Sequence, residues 1–186
     1  MKRCFDAILA VIAGVILSVP MLLVALLIKL TSKGPVLYWS DRVGRNNILF
    51  KMPKFRTMKV GTPSLATHLM KDPEKYLTPI GGFLRRSSLD ELPQLVSILK
   101  GDMSFVGPRP ALYNQEDLIG MRTYKGIHVL LPGLTGWAQV NGRDDLPIPL
   151  KVVYDEHYLR NHPLSFDFKI LFITAWQAFK GKGIKH

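Results

Sequence analysis

The sequence predicts an α+β fold: a mainly helical compact domain with a small β-hairpin, preceded by a membrane helix. Three observations indicate this. Residues 7–28 are apolar and uncharged, two short runs rich in β-forming residues flank one turn, and several later segments repeat apolar residues at helical spacing. The 186 residues suffice for one domain and an anchor. We therefore divide the chain into a membrane-inserted segment, residues 1–30, and a compact domain, residues 31–186.

The uncharged run of residues 7–28 is long enough, at about 1.5 Å per residue, to cross a hydrocarbon core of about 30 Å. It exceeds the apolar region of a signal peptide and lacks an A-x-A-like cleavage site. Pro20 lies near its middle, and Ser18 could satisfy a carbonyl freed by that proline. Basic residues flank both ends. The run therefore favours equally a tilted span and a re-entrant helix that breaks at Ser18 and Pro20.

The elements after the anchor follow from local patterns. A hinge at residues 31–35 leads into strands at residues 36–40 and 48–55, which flank a turn and predict a hairpin. Further along we expect a loop with some helix at residues 60–71, short helices at 80–86 and 90–100, ordered loops at 101–110 and 132–143, and a helix at 149–160.

The C-terminal segment repeats apolar residues at helical spacing from Phe168 to Phe179 and predicts an amphipathic helix that ends at Gly181. A core helix fits this pattern. A helix lying in the lipid headgroup region fits it equally well, because Trp176 and the terminal lysines suit that interface.

The charge balance favours an acidic partner. Lys and Arg number 25 against 14 Asp and Glu, a net charge of +11 that attracts anionic headgroups, phosphorylated ligands or nucleic acid. No segment has the pattern of a recognition helix or an aromatic-rich basic sheet, so nucleic acid is not an expected partner. The single cysteine, Cys4, excludes an internal disulfide, and the five histidines lack metal-binding spacing.

Two adjacent carboxylates, Asp90 and Glu91, stand where the helix of residues 90–100 should start. Pro93 is tolerated only in a first helical turn, so Asp90 or its neighbour should be the N-cap. Ser88 and Glu91 also fit a capping box, which would make the acids purely structural. The alternative is a nucleophile that meets an anionic phosphate, with Arg85 behind it.

Three further segments carry groups suited to phosphates and sugars. Lys54 and Arg56 alternate on a strand and should share a face. Arg109 stands between two prolines and is preorganised for bidentate binding of oxyanions. The segment of residues 133–143 offers glycines for close backbone approach and polar side chains that could contact a base or a sugar: Gln139, Asn141 and Arg143.

Together, four segments in this order resemble the bacterial sugar transferases, in particular the small monotopic phosphoglycosyl transferases. They are residues 54–58 (KFRTM), 88–94 (SLDELPQ), 100–110 (KGDMSFVGPRP) and 132–136 (PGLTG). The resemblance covers nearly the whole chain.

The resemblance implies transfer of a phosphosugar from a UDP-sugar, an N-acetylated hexose, to a polyprenyl phosphate such as undecaprenyl phosphate, with release of UMP. Asp90 would be the nucleophile, Glu91 its acid–base partner, and Mg²⁺ would bind at Asp90 and the diphosphate. Arg56, Arg85 and Arg109 match family positions near the phosphates.

The resemblance also implies that both ends of the membrane helix face the cytoplasm, at the cytoplasmic face of the bacterial inner membrane. The lipid bilayer and the two substrates are the expected partners, and a second copy forming a homodimer is a further candidate. Two other classes remain as alternatives: a membrane-tethered nucleic-acid binder, and a single-pass scaffold in which Asp90 only caps a helix.

Overall fold

The structure is a computed structural model that describes residues 2–63, 72–142, 145–161 and 163–180. Its helices and strands are α1 (Lys2–Thr31), β1 (Leu37–Val43), β2 (Leu49–Phe55), α2 (Gly81–Arg86), α3 (Leu95–Lys100), β3 (Ser104–Val106), α4 (Glu116–Tyr124), β4 (Gly133–Thr135), α5 (Trp137–Val140), α6 (Ile148–Arg160) and α7 (Leu164–Lys180). Short 3-10 helices occur at Arg45–Asn47, Pro73–Tyr76, Leu89–Gln94 and Ile127–Val129. This mixture of helices and small sheets confirms the α+β class.

Helix α1 remains helical through Pro20, where the sequence predicts a break. The proline leaves the carbonyl of Ile16 without its usual donor, but the turns on either side continue the helix. The Ser18 hydroxyl donates to the carbonyl of Val15 at 2.8 Å, not to that of Ile16. The expected compensation of Pro20 by Ser18 is therefore wrong.

One stripe of α1 packs against the rest of the protein along the whole helix. Asp6 and Ala10 are buried near its start, and Val24 and Ile28 near its end. Ala10 belongs to a core cluster with side chains of β2, α3 and β3, whereas Val24 and Ile28 belong to a second cluster with Phe55 of β2 and a leucine of α2. Both ends of α1 therefore pack against the domain that follows it in the chain.

The opposite face of α1 is apolar and exposed. Among the described residues, α1 is the one helix long and apolar enough to cross a membrane, and only 11% of its most apolar window is buried. A core helix of a soluble protein would be mostly covered. The exposed side chains are Ile8, Val11, Ile12, Val15, Ile16, Val19, Leu22, Leu23, Leu26, Leu27 and Leu30.

The predicted hairpin is confirmed. β1 pairs with β2 in antiparallel register from Leu37 opposite Phe55 to Val43 opposite Leu49. A 3-10 turn closes it, with Asn46 in the left-handed region at φ 56°, which asparagine tolerates. The neighbouring Asn47 donates to Thr123 of α4 at 2.9 Å and fixes the turn to the helical part of the domain.

Several later elements differ from the expectation. The helix predicted at residues 90–100 is a 3-10 helix followed by α3, because Pro93 lies inside the first segment. The two expected loops, residues 101–110 and 132–143, contribute β3 and β4, which pair in parallel. Much of the predicted loop at residues 60–71 lies outside the described residues.

Helix α7 confirms the predicted C-terminal helix and presents two kinds of surface. Asp167 and Ile170 are buried on its inner side, whereas Phe168, Phe172 and Trp176 are exposed. The segment is therefore a core helix on one side and carries an uncovered aromatic face on the other.

Candidate active site

Asp90 and Glu91 lie side by side in the 3-10 helix Leu89–Gln94, and each is only 8% exposed. The N-cap residue is Ser88, at φ 56°, and its side chain makes no capping bond. Both the predicted N-cap at Asp90 and the capping box are therefore wrong. The Glu91 carboxylate binds cations from other elements instead.

Two cations meet the same carboxylate oxygen. Lys54 Nζ of β2 lies 3.0 Å from Glu91 Oε1, and Arg109 Nη2 lies 2.8 Å from the same oxygen. Lys54 Nζ is also 4.0 Å from Asp90 Oδ2. The hairpin and the loop after β3 thus bring two sequence-predicted residues to the acidic pair.

Arg85, at the end of α2, is the third cation of the site. Its Nε donates to the Thr57 hydroxyl at 3.0 Å, which fixes the guanidinium next to the end of the hairpin. Its charge acts on Asp90 from there. The positive charge around the two acids therefore comes from three different elements.

Burial raises the pKa of Asp90 above its usual value of 3.8. Lys54 is the strongest opposing influence on that pKa, Glu91 raises it further, and Arg85 and Arg109 lower it. Burial also lowers the pKa of Lys54, and the charge of Glu91 opposes that shift. The three neighbouring cations therefore oppose the effect of desolvation on Asp90.

Arg56 is hydrogen-bonded at the end of α1. It comes one residue after the end of β2, is only 4% exposed, and donates to the chain that follows α1. Its partners are the Lys33 carbonyl, the Ser32 carbonyl at 3.1 Å and the Ser32 hydroxyl at 2.7 Å. A buried guanidinium needs such acceptors, and here it finds them at the end of the membrane helix. The substrate contact expected of Arg56 stays a prediction.

The three polar residues of the segment after β4 have different positions. Gln139 lies on α5, and both polar atoms of its side-chain amide are buried without a hydrogen-bond partner in the described protein. Asn141 follows the last residue of α5, is exposed, and donates to the carbonyl of Trp137 at 2.7 Å. Arg143 lies outside the described residues. Of the two described residues, Gln139 and Asn141, only Gln139 has a side-chain amide without a described hydrogen-bond partner.

The backbones of the Arg109 loop and of β4 touch directly. A Cβ at Gly133 would overlap the Gly107 nitrogen, and a Cβ at Gly136 would overlap the Gly107 carbonyl oxygen. Gly107 N donates to Thr135 O at 2.9 Å, and Gly133 N donates to the carbonyl of Pro108 at 2.9 Å. The glycines therefore permit an approach that any side chain would prevent.

The acidic pair suits a hard divalent cation. Mg²⁺ prefers oxygen ligands and is commonly held by one or two carboxylates together with substrate phosphates. Asp90 and Glu91 offer two adjacent carboxylates, while no cluster of three or more potential ligands exists within the described residues. The residues present therefore fit a magnesium ion that is shared with a phosphorylated substrate.

Sequence reasoning missed two residues near this site. Arg122 of α4 donates to the main-chain carbonyl of Arg109 at 2.8 Å and forms an ion pair with Asp155 of α6 at 2.6 Å. No sequence motif marks either residue: α4 lies in a stretch with no predicted element, and Asp155 lies within the predicted helix of residues 149–160 without a pattern that singles it out.

The buried acidic pair is surrounded by cations, a setting that suits anionic ligands, and the uncovered apolar helix α1 is typical of membrane-associated proteins. The family model of the bacterial sugar transferases matches residues 1–181. The chain belongs to the bacterial sugar transferase family.

Named relatives agree with this assignment. The chain is 38% identical over 189 residues to a UDP-glucose:undecaprenyl-phosphate glucose-1-phosphate transferase of Escherichia coli (strain K12), covering 98% of the chain and 41% of the relative. It is 36% identical to a UDP-N-acetylgalactosamine-undecaprenyl-phosphate N-acetylgalactosaminephosphotransferase of Aeromonas hydrophila, covering 99% and 45%. The chain thus spans less than half the length of these two relatives.

A shorter relative matches over most of its length. The exopolysaccharide production protein ExoY of Sinorhizobium fredii (strain NBRC 101917 / NGR234) is 37% identical over 188 residues, covering 93% of the chain and 83% of the relative.

Proposed function

We propose that the protein transfers a phosphosugar from a UDP-sugar to a polyprenyl phosphate such as undecaprenyl phosphate and releases UMP. The observation that carries this proposal is the buried Asp90–Glu91 pair within reach of Lys54, Arg85 and Arg109. The activities for which the relatives are named support the same reaction class. We propose an N-acetylated hexose as the sugar.

The reaction proceeds in two displacements. A carboxylate oxygen of Asp90 attacks the phosphorus that bears the sugar, the bond from that phosphorus to the UMP oxygen breaks, and UMP leaves. An oxygen of the polyprenyl phosphate then attacks the same phosphorus and releases the Asp90 carboxylate. Two steps allow the soluble donor to leave before the lipid acceptor reacts.

The cations make attack on an anionic diphosphate feasible. Arg109 and Arg85 offer fixed guanidiniums for phosphate oxygens, and the charge of Lys54 opposes the rise in the pKa of Asp90, which favours the ionised nucleophile. A magnesium ion held by Asp90, Glu91 and the diphosphate would neutralise further charge. Glu91, bound to both Lys54 and Arg109, orients these two cations and is placed to exchange protons with the reacting groups.

The protein acts at the cytoplasmic face of the bacterial inner membrane, where UDP-sugars are available. Contacts at both ends of α1 with one body support a re-entrant arrangement. The uncovered apolar face of α1 and the exposed aromatic residues of α7 would lie in lipid. Attraction of the net charge of +11 to anionic headgroups favours the same placement.

The decisive test is the covalent intermediate. Enzyme, UDP-sugar and Mg²⁺ without acceptor should release UMP up to about one equivalent, and intact-protein mass spectrometry should find the phosphosugar on Asp90. Asp90→Asn should lower turnover by roughly 10⁴ or more. Asp41→Asn, which removes a carboxylate from an exposed ion pair with Lys51, is the matched control and should retain activity.

The donor panel should contain UDP-glucose, UDP-galactose and their N-acetylated counterparts. Activity confined to the plain hexoses would replace the proposed sugar and leave the mechanism intact. An unmodified Asp90 under full turnover, with sequential kinetics, would refute the double displacement.

A further inference from the structure

Arg109 reaches Glu91 from a loop, residues 107–110, whose first half is bonded to β4. The second half is held by two arginines from other elements. The Arg109 carbonyl accepts a hydrogen bond from Arg122 Nη1 at 2.8 Å, and the Pro110 carbonyl accepts one from Arg42 Nη1 at 3.1 Å. A cavity of about 30 Å³ borders this loop. The two hydrogen bonds act on the loop between its attachment to β4 and the backbone bond from Val43 N to the Ala111 carbonyl at 3.0 Å.

The donor to the Arg109 carbonyl is itself fixed. Arg122 Nε and Nη2 donate to Asp155 Oδ2 at 3.0 and 2.6 Å, and the two side chains are only 11% and 1% exposed. The planar guanidinium therefore uses one edge for Asp155 and its remaining nitrogen for Arg109. A lysine could keep the ion pair, but its single ammonium lacks the fork that joins both partners.

We propose that the Arg122–Asp155 pair is a positioning device for Arg109: it links helices α4 and α6 to the active site and keeps the guanidinium of Arg109 on Glu91 and the substrate phosphate. This inference rests on the proposed function for its kinetic consequence. Arg122 and Asp155 are positioning residues, since their described bonds go to each other and to the loop backbone.

The structural part can be tested without any activity. Hydrogen exchange should be measured by mass spectrometry on peptides that cover residues 104–112. Arg122→Lys should accelerate exchange of the Gly107 and Leu112 amides, which donate to Thr135 O and Gln115 Oε1 on either side of the released carbonyl. The matched control is Lys125→Met, which removes an exposed ion pair of 3.2 Å with Glu156 of α6 and does not touch the loop. It should leave the exchange of these peptides unchanged.

The kinetic part requires a double-mutant cycle. Arg122→Lys should lower kcat/KM for UMP release by about tenfold to a hundredfold, because small misplacements of a catalytic group are costly. In an Arg109→Ala background the same substitution should change kcat/KM by less than about twofold, since its target is gone. Asp155→Asn, which keeps an oxygen acceptor for Arg122, is the second variant if Arg122→Lys does not fold.

The outcomes separate the two hypotheses. Unchanged exchange in Arg122→Lys, or equal acceleration in Lys125→Met, overturns the positioning device. Accelerated exchange with an equal kinetic loss in both Arg109 backgrounds shows that the pair only stabilises the fold. Absence of UMP release from every UDP-sugar by the unmodified enzyme refutes the proposed function, and the exchange data still decide whether the pair holds the loop.

Discussion

At Asp90 two requirements oppose each other. A carboxylate must be ionised to act as a nucleophile, yet burial at 8% exposure raises the pKa of this one. Below its folded-state pKa the group is neutral and cannot attack. The fall of kcat/KM at low pH should therefore have its midpoint above the ordinary aspartate value of 3.8. The position of that midpoint depends on the neighbouring cations.

Substitution of Lys54 tests this dependence. Lys54 is the largest opposing influence on the pKa of Asp90, so Lys54→Met should raise that pKa further and move the acid limb of kcat/KM to higher pH. Lys51→Met is the matched control, because Lys51 lies on the same strand and pairs with Asp41 at the surface. A limb that stays in place or moves to lower pH would contradict the assignment of Asp90 as the titrating group.

At the scale of elements, Arg56 joins the end of the hairpin to the end of the membrane helix. Its guanidinium donates to two carbonyls and one hydroxyl at residues 32 and 33. Hydrogen bonds from a charged donor contribute about 1.5–3 kcal/mol each. The position of α1 relative to the active site therefore depends on this side chain.

Removal of Arg56 should weaken the protein more than its catalysis. Arg56→Gln should lower the free energy of unfolding by about 2 kcal/mol, while the donor KM of the folded enzyme should change less than about threefold. Thermal unfolding and steady-state kinetics in the same detergent measure both. Arg45→Gln in the exposed hairpin turn should change neither. An unaltered Tm with a large rise in KM would restore the phosphate contact that the sequence predicts for Arg56.

Elements formed by local chemistry were predictable, and elements formed by distant pairing were not. The hairpin follows from two β-rich runs around one turn. By contrast, β3 and β4 have three residues each and form only because chain from another part of the sequence lies alongside. The structure brings the motif residues Lys54 and Arg109 to Glu91, while their expected binding of phosphates stays a prediction. Burial of Arg56 has no signature in the sequence, so its bonds to residues 32 and 33 were not predicted.

At the scale of the whole molecule, the structure gives both ends of α1 the same support. Arg3 near its start donates to the carbonyls of Ile98 and Leu99, and Lys2 pairs with the buried Asp167 of α7 at 2.6 Å. Near the other end, Ile28 is buried beside Phe55. A helix that crosses the bilayer would carry one end about 30 Å away from this body.

Labelling of cysteines tests the resulting topology. Cys4 is exposed and reports on the start of α1, and Lys33→Cys in a Cys4→Ser background reports on its end. Both positions should resist an impermeant thiol reagent in intact cells and react after the cells are permeabilised. Reaction of Cys4 in intact cells would demonstrate a true span. Pro20→Ala should favour that span, because it restores the missing helical hydrogen bond.

The direct contact between the backbones of Gly107, Gly133 and Gly136 constrains how this enzyme can diversify. A Cβ added at any of these three glycines would collide with main-chain atoms of the facing segment. Each glycine can therefore be replaced only if that segment moves away. The Arg109 loop and β4 should thus persist as one heritable unit. New sugar preferences would have to arise from side chains that project from this unit, because changes in its backbone would break the contact.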